Sequence, residues 1–402
     1  MPKGPPPPPV WHRELTSHGV TGTNGKTSTV GLLAAALAEP QSPVASITTL
    51  GAFIDQTPFD APRTHEGLLT ALREGLRRGG KHAVLEMTSE ALAVGYAQAW
   101  PCAGAVFTNL SHDHLDAHQS PEHYLASKAR LFMALPPGGY AVLNACDDAC
   151  QLLAEVLPAG VRTLRYGVAS RGEPHAALDL EAFDVQTNWQ GTRAKLRSSK
   201  LDLPDHLHIR ALGAEHVENA LAALAAAALA GVEPRSALAA IEQAPPRPGR
   251  FEVYGSGPHV VVDFAHSPDA LERTLRTARG LCQGQLWVVF GAGGKRDRDK
   301  RPAMGEAARQ ADVVVLTTDN CRNEDPSEIC HALQMGLVGH MRVSVELDRE
   351  RAILGAIADA RPEDVVVIAG RGPERELDLG SSRITLVDAE VAQAALTARA
   401  RP

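Results

Sequence analysis

The sequence has no paired cysteines. Its six, at positions 102, 146, 150, 282, 321 and 330, form no CxxC pair and no zinc-ligand spacing, which argues against a zinc module and implies reduced thiols in a cytoplasmic protein. A basic excess is also missing. Forty Lys and Arg against 47 Asp and Glu leave a net charge of -7, so no bulk field draws the chain onto nucleic acid or an anionic membrane. Long apolar runs are absent too. The longest, Ala220 to Val232, is alanine-rich and too short to cross a bilayer. No charged segment followed by an apolar one opens the chain, so a secretory signal is not expected and the cytoplasm is. What remains is globular: 44% hydrophobic and 22% charged over 402 residues, room for two or three domains at about 150 residues each.

Residues 1–18 hold a polyproline run expected to form an extended, solvated tail. From Gly19 short apolar runs alternate with helical stretches. Strands are expected at 83–87, 104–109 and 139–144, and helices at 27–38, 66–78 and 121–135. That alternation predicts the α/β class, a parallel sheet with helices on its faces. Residues 165–212 are more polar and predict an appended antiparallel layer, followed by a helix over 216–229. The Pro-rich stretch 243–249 marks a boundary. After it, strands at 259–264, 286–290, 312–316, 342–346 and 364–369 predict a second doubly wound unit. The expected domains are a tail, 1–18, then 19–245 and 246–402.

Thr21-Gly-Thr-Asn-Gly-Lys-Thr-Ser28 stands between an expected strand and a helix. Gly22 and Gly25 permit a tight turn, and the freed N–H groups of Thr23, Asn24 and the helix start, Ser28 included, can cradle phosphate. Lys26 would reach the terminal phosphates and the Thr27 hydroxyl would ligate Mg²⁺. The spacing departs from GxxxxGK[ST], and Leu15 to Gly19 is a poor strand to lead into it. Glu86 closes a buried strand, where a metal ligand belongs. Residues 107–118 then place His112, Asp113, His114, Asp116 and His118 within seven positions. Oxygen ligands with one imidazole suit Mg²⁺ or Mn²⁺. A dinuclear hydrolase signature, HxHxDH, fits five positions here and fails at Ala117.

These motifs resemble the Mur ligase family, whose runs read TGTNGKT[ST], E-x-S-S and FTNLxxDHLDxH. The resemblance implies a P-loop ATPase central domain with a parallel sheet, then a Rossmann-like C-terminal domain. It also implies ATP and Mg²⁺, with Thr27 on one metal, Glu86 and His114 on a second, and Lys26, His114 and Lys128 in catalysis. Lys128 falls on the family's YxxxK lysine, which is carbamylated into a metal ligand. Thr88-Ser89-Glu90 departs from Ser-Ser-His, and His112 replaces a common arginine. Asn219 matches the asparagine that reads adenine. Pro248-Gly-Arg-Phe-Glu252 and Asp263-Phe-Ala-His-Ser-Pro268 match C-terminal motifs that put Arg250, Asp263 and His266 near the nucleotide.

Residues 290–302 resemble FGCGGDRDxxKRP, which sets Arg296 against a substrate carboxylate. Asp319-Asn-Cys-Arg322 resembles the DNPR of members adding meso-diaminopimelate to UDP-N-acetylmuramoyl-L-alanyl-D-glutamate, with Cys321 in place of proline. Ala369-Gly-Arg-Gly-Pro-Glu374 resembles AGKGHE. Asn320, Arg322, Gly370 and Glu374 would therefore hold the amino acid, while Arg371 and Pro373 replace lysine and histidine. The implied reaction is ATP-dependent amide ligation between a small-molecule carboxylate and an amino acid, through an acyl phosphate. Only residues 1–20 precede the phosphate loop, where UDP-linked members carry a further domain. Three expectations stand: a ligase served by a partner protein supplying that domain, a stand-alone ligase on a carboxylate without UDP, and a non-catalytic nucleotide-binding regulator.

Overall fold

The computed structural model describes residues 4–111, 121–295 and 297–399. The chain divides into two compact units, residues 1–245 and 246–402.

The first unit is built on an 11-stranded sheet with the order β11-β10-β9-β8-β7-β6-β1-β5-β2-β3-β4. Its parallel centre consists of β2 (Ala45–Thr48), β5 (His82–Glu86), β1 (Thr16–Thr21), β6 (Gly104–Phe107), β7 (Tyr140–Asn144) and β8 (Arg162–Val168). Strands such as Gly-Ala-Val-Phe in β6 are buried throughout, as expected where helices cover both faces. β9 (Leu180–Asn188) runs parallel to β8, and β10 (Gly191–Ser198) and β11 (His206–Ile209) then turn antiparallel. The polar segment therefore extends the same sheet rather than forming a separate layer. At the other edge, β3 (Gly51–Ile54) and β4 (Thr57–Phe59) form an antiparallel meander with β2 that the apolar pattern did not mark. The helix Lys26–Leu37 and the alanine-rich helix Ala214–Leu229 share one core with the sheet. Alanines at 220, 222, 223, 225, 226 and 227 leave no side-chain bulk, so backbones approach closely.

The expected tail ends early. Val10–Glu14 forms a 3₁₀ turn, Leu15 is buried, and Trp11 packs edge-on against Trp100 at 5.9 Å. β1 starts at Thr16 and sits at the centre of the sheet despite its polar sequence. Its polar groups are satisfied sideways: Trp100 Nε1 donates to Ser17 Oγ at 2.9 Å, and His18 bonds the Tyr140 hydroxyl at 2.7 Å and His82 at 3.1 Å. Hydrogen-bonded polar groups can be buried without the full desolvation penalty, which is why this strand exists.

The second unit has a six-stranded sheet, β12-β13-β17-β14-β15-β16. β13 (His259–Asp263), β17 (Val365–Ala369), β14 (Leu286–Phe290), β15 (Val313–Leu316) and β16 (Val343–Val345) are parallel, and β12 (Glu252–Tyr254) is antiparallel at the edge. Valine-rich runs supply the buried strands. Among the described residues no helix is long and apolar enough to cross a membrane.

Candidate functional site

In the first unit the strand order reverses at β1, whose neighbours β5 and β6 come later in sequence. Open α/β sheets bind ligands outside the carboxyl ends of strands at such a point. Three carboxyl ends converge here: the glycine loop after β1, Glu86 at the end of β5, and Thr108-Asn109 after β6.

The loop needs its glycines. Gly25 has φ +84°, and a Cβ there would lie 2.2 Å from Asn219 Oδ1. Gly22 has φ +147°, and a Cβ there would lie 1.9 Å from Thr108 Oγ1. The segment after β6 braces the loop. Thr23 N donates to Asn109 O at 2.8 Å, Asn24 N to Asn109 Oδ1 at 2.9 Å, and Thr108 Oγ1 to Asn24 O at 2.7 Å. Lys26 opens the helix Lys26–Leu37, and its Nζ donates to the carbonyls of Thr23 (2.7 Å) and Gly22 (3.1 Å). The helix start and a lysine thus face the same turn, an arrangement that suits an anion.

Thr27 Oγ1 donates to Glu86 Oε2 at 2.8 Å, and Thr49 N donates to the same oxygen at 3.2 Å. A hydroxyl and a carboxylate meeting beside a phosphate-type loop fit a hard cation that keeps several other ligands for phosphate and water. Lys128, only 1% exposed, reaches in from the helix Pro121–Met133. Its Nζ donates to Gly22 O at 2.8 Å and lies 4.1 Å from the Tyr124 ring centroid. Two lysine amines therefore converge on the Gly22 carbonyl. Ser28 is buried in the first helical turn. Asn219 Oδ1 accepts from Thr29 Oγ1 at 3.3 Å, so the side chain expected at adenine lies against the loop itself. His114 lies outside the described residues, with His112, Asp113, Asp116 and His118. Among the described residues no group of three His, Cys, Asp or Glu could hold a metal. A cavity of about 330 Å³ adjoins Glu86, bordered by Thr48, Met87, Tyr96, Trp100 and Arg63.

In the second unit, Asp263 Oδ2 accepts from Phe251 N (2.7 Å) and Oδ1 from Ala265 N and Thr274 Oγ1 (both 2.9 Å). Both its oxygens are thus engaged in fixing the turn that carries Arg250 and the loop that carries His266. The Arg250 guanidinium lies 4.5 Å over the Phe264 ring, and His266 meets the same ring edge-on at 4.7 Å.

A second cluster in that unit joins the loops after β15 and β17. Asn320 Nδ2 donates to Glu374 Oε2 at 2.7 Å, and Asn320 Oδ1 accepts from Asp378 N at 2.8 Å. Arg322 sits at φ +48° beside Asn323 at +68°, a conformation that costs energy for non-glycine residues. Its guanidinium donates to Gly294 O and Asn320 O, both at 3.2 Å. Gly370 follows β17 at φ +111°, where a Cβ would lie 2.6 Å from Asp319 Oδ2. Burial raises the Glu374 carboxyl above its ordinary range, the Asn320 hydrogen bond opposes this, and Asp319 adds to it. Arg296 lies outside the described residues. Asn320, Glu374 and Arg322 are therefore brought together, with Gly370 alongside. Sequence reasoning missed Arg349 and Asp388, which lie beneath these loops and belong to no motif.

The Mur ligase middle domain matches residues 20–227, and the Mur ligase, glutamate ligase domain matches residues 249–372. The chain belongs to the Mur ligase family. Mur ligases are ATP-dependent and use Mg²⁺, which agrees with the oxygen chemistry at Thr27 and Glu86. The UDP-N-acetylmuramoyl-L-alanyl-D-glutamate–2,6-diaminopimelate ligase of Thermosynechococcus vestitus is 40% identical, a match covering 96% of this chain and 78% of the relative. The enzyme of the same name from Ralstonia nicotianae is 39% identical, with 95% and 76% covered. A solved structure bearing that name superposes with a TM-score of 0.64 at 33% identity, covering 96% of this chain and 79% of its own. Folylpolyglutamate synthase of Mycobacterium tuberculosis shares the fold, with a TM-score of 0.70 at 19% identity over 97% and 92% of the two chains.

Proposed function

We propose that this Mur ligase joins a carboxylate donor to the amine of a diaminopimelate-like amino acid, at the expense of ATP. The observation that carries the reading is the convergence of Lys26, Thr27, Glu86 and Lys128 at the switch point of the first sheet. The names of its relatives support UDP-N-acetylmuramoyl-L-alanyl-D-glutamate as donor and diaminopimelate as acceptor.

The donor carboxylate oxygen attacks the γ-phosphorus, the bond to the β–γ bridging oxygen breaks, and ADP leaves. The amine nitrogen then attacks the acyl carbon, phosphate departs with the C–O bonding pair, and the nitrogen loses a proton to complete the amide. Loop N–H groups from Gly25 to Ser28 hold the phosphates, while those of Thr23 and Asn24, which donate to Asn109, brace the turn. Lys26 exchanges its contacts with the Thr23 and Gly22 carbonyls for the terminal phosphate, where its charge offsets the negative charge of transfer. Thr27 and Glu86 would hold Mg²⁺, with His114 as a further ligand, and the ion would supply charge neutralisation on the phosphates. Lys128 is proposed to be carbamylated. The amine nitrogen would bond the carbon of carbon dioxide and give up a proton, and the resulting anion would support the metal ligands. Asn219 is proposed to meet the adenine, with Arg250 and His266 at the nucleotide and Asp263 fixing their loops. Arg322 and Arg296 would take the acceptor's distal carboxylate, Arg322 through its planar donor fork, while Asn320, Gly370 and Glu374 hold the adjoining ammonium.

The test is ADP release across a panel of donors, UDP-linked and not, crossed with diaminopimelate, lysine and glutamate. Turnover that needs both a donor and an amine, and is lost in Lys26→Ala, supports the ligase. ATP binding without turnover on any pair supports the regulatory alternative. Bicarbonate-dependent activity that disappears in Lys128→Arg supports carbamylation.

A further inference from the structure

Beneath the loops after β15 and β17 lies a cluster that the ligation chemistry does not itself use. Arg349 and Asp388 are 1% and 0% exposed, and Arg371 is 0% exposed. Arg349 makes a two-pronged contact with Asp388, Nε to Oδ1 at 2.9 Å and a terminal nitrogen to Oδ2 at 2.7 Å. Its remaining donors take the carbonyls of Thr318 (3.3 Å) and Ala369 (3.0 Å). Arg371 reaches the same carboxylate at 3.3 Å and the Leu386 carbonyl at 3.1 Å.

Thr318 is followed by Asp319 and Asn320, and Ala369 by Gly370. One guanidinium therefore ties together the backbone where both loops that carry the acceptor groups leave their strands. The second faces the site directly. Among the described residues Arg371 Nε has no hydrogen-bond partner, and it lies 3.9 Å from Glu374 Oε2, the oxygen that also accepts from Asn320. Besides Asp388, the carboxylates of Asp319 and Glu374 act on both guanidinium groups, and Glu374 lies within ion-pair distance of Arg371. Burying such charges is costly, so a cluster kept here calls for a role beyond holding the sheet together. Lysine, the residue of the AGKGHE pattern, could not reach Asp388 and Leu386 through a planar fork while also presenting a third N–H toward Glu374.

We propose that Arg371, backed by Asp388 and Arg349, is a positioning residue for the acceptor amino acid: it locks the two acceptor loops in register and aims the Glu374 carboxylate. The inference rests on the acceptor reading given above, and its experiment separates the two. In the intact chain, KM for the acceptor, KM for ATP and kcat are measured for wild type, Arg371→Met and Arg371→Lys. Backbone hydrogen exchange is followed over residues 318–323 and 370–374. Arg371→Met is expected to raise the acceptor KM about tenfold or more, the scale on which misplacing a substrate group acts. KM for ATP should stay within about twofold, and Arg371→Lys, which keeps the charge but not the fork, should recover only part of the loss. Exchange should rise in both loops together. Arg371→Gln, which keeps a donor for Leu386, replaces the methionine variant if that fails to fold, and is expected to shift the acceptor KM the same way. Equal changes in both KM values, no change in either, or exchange rising throughout the second unit would overturn the proposal. A wild type that turns over no acceptor refutes the acceptor reading instead, and the exchange data alone then decide whether Arg371 couples the two loops.

Discussion

His18 gives the sharpest handle on the first unit. It lies at 0% exposure in the central strand β1, between the Tyr140 hydroxyl and His82. Burial, with the charge of His82 adding, lowers its pKa to about 3 from an ordinary 6.5. Between those values the unfolded chain binds a proton that the folded chain refuses. The stabilisation is therefore complete above about pH 6.5 and is lost as pH falls toward 3. One pH unit of such a difference is worth about 1.4 kcal/mol, so moving from pH 7.5 to 5 costs about 2 kcal/mol from this residue alone. Urea unfolding followed by the fluorescence of the buried Trp100 measures it. His18→Gln, which can still bond Tyr140 and His82, removes the titration. Wild type should lose about 2 kcal/mol more than the variant over that range. Parallel pH profiles for the two proteins would refute the assignment of a buried neutral histidine.

Three further outcomes follow from the sites. Glu86→Gln keeps the shape that Thr27 and Thr49 contact but removes the charge. The Mg²⁺ concentration for half-maximal activity should rise roughly 10–100-fold with little change in melting temperature. Gly25→Ala places a methyl in a left-handed conformation 2.2 Å from Asn219 Oδ1. It should cost about 1–3 kcal/mol of stability and weaken ATP binding, read by thermal melting and nucleotide titration. Because burial raises the Glu374 carboxyl, its charge is lost at a higher pH than an ordinary glutamate's. The acceptor KM should therefore climb on the acid side, and Glu374→Gln should flatten that limb.

Much of the architecture was legible because apolar strands between glycine turns announce themselves. Val260 to Val262, Leu286 to Phe290 and Val365 to Ile368 are buried throughout and lie where the periodicity put them. β1 is hard to read locally because Thr-Ser-His-Gly is a poor strand on propensity. Its stability comes from bonds to Trp100, Tyr140 and His82, partners 64 to 122 residues away that no local window contains. The phosphate loop and Glu86 were legible as motifs, and their meeting at 2.8 Å required the sheet order. Asp263 shows the reverse. Its place at a strand's end suggested a ligand contact, but its oxygens engage Phe251, Ala265 and Thr274. Arg349 and Asp388, 39 residues apart, form a pair that burial alone discloses.

The most direct test of the account is ADP formation by the purified chain given UDP-N-acetylmuramoyl-L-alanyl-D-glutamate and meso-diaminopimelate, with each omitted in turn and with Lys26→Ala in parallel. The account predicts ADP and a new amide product only when donor and acceptor are both present, and neither in the Lys26 variant. ADP formation that is indifferent to the amine, or unaffected by loss of Lys26, would contradict it.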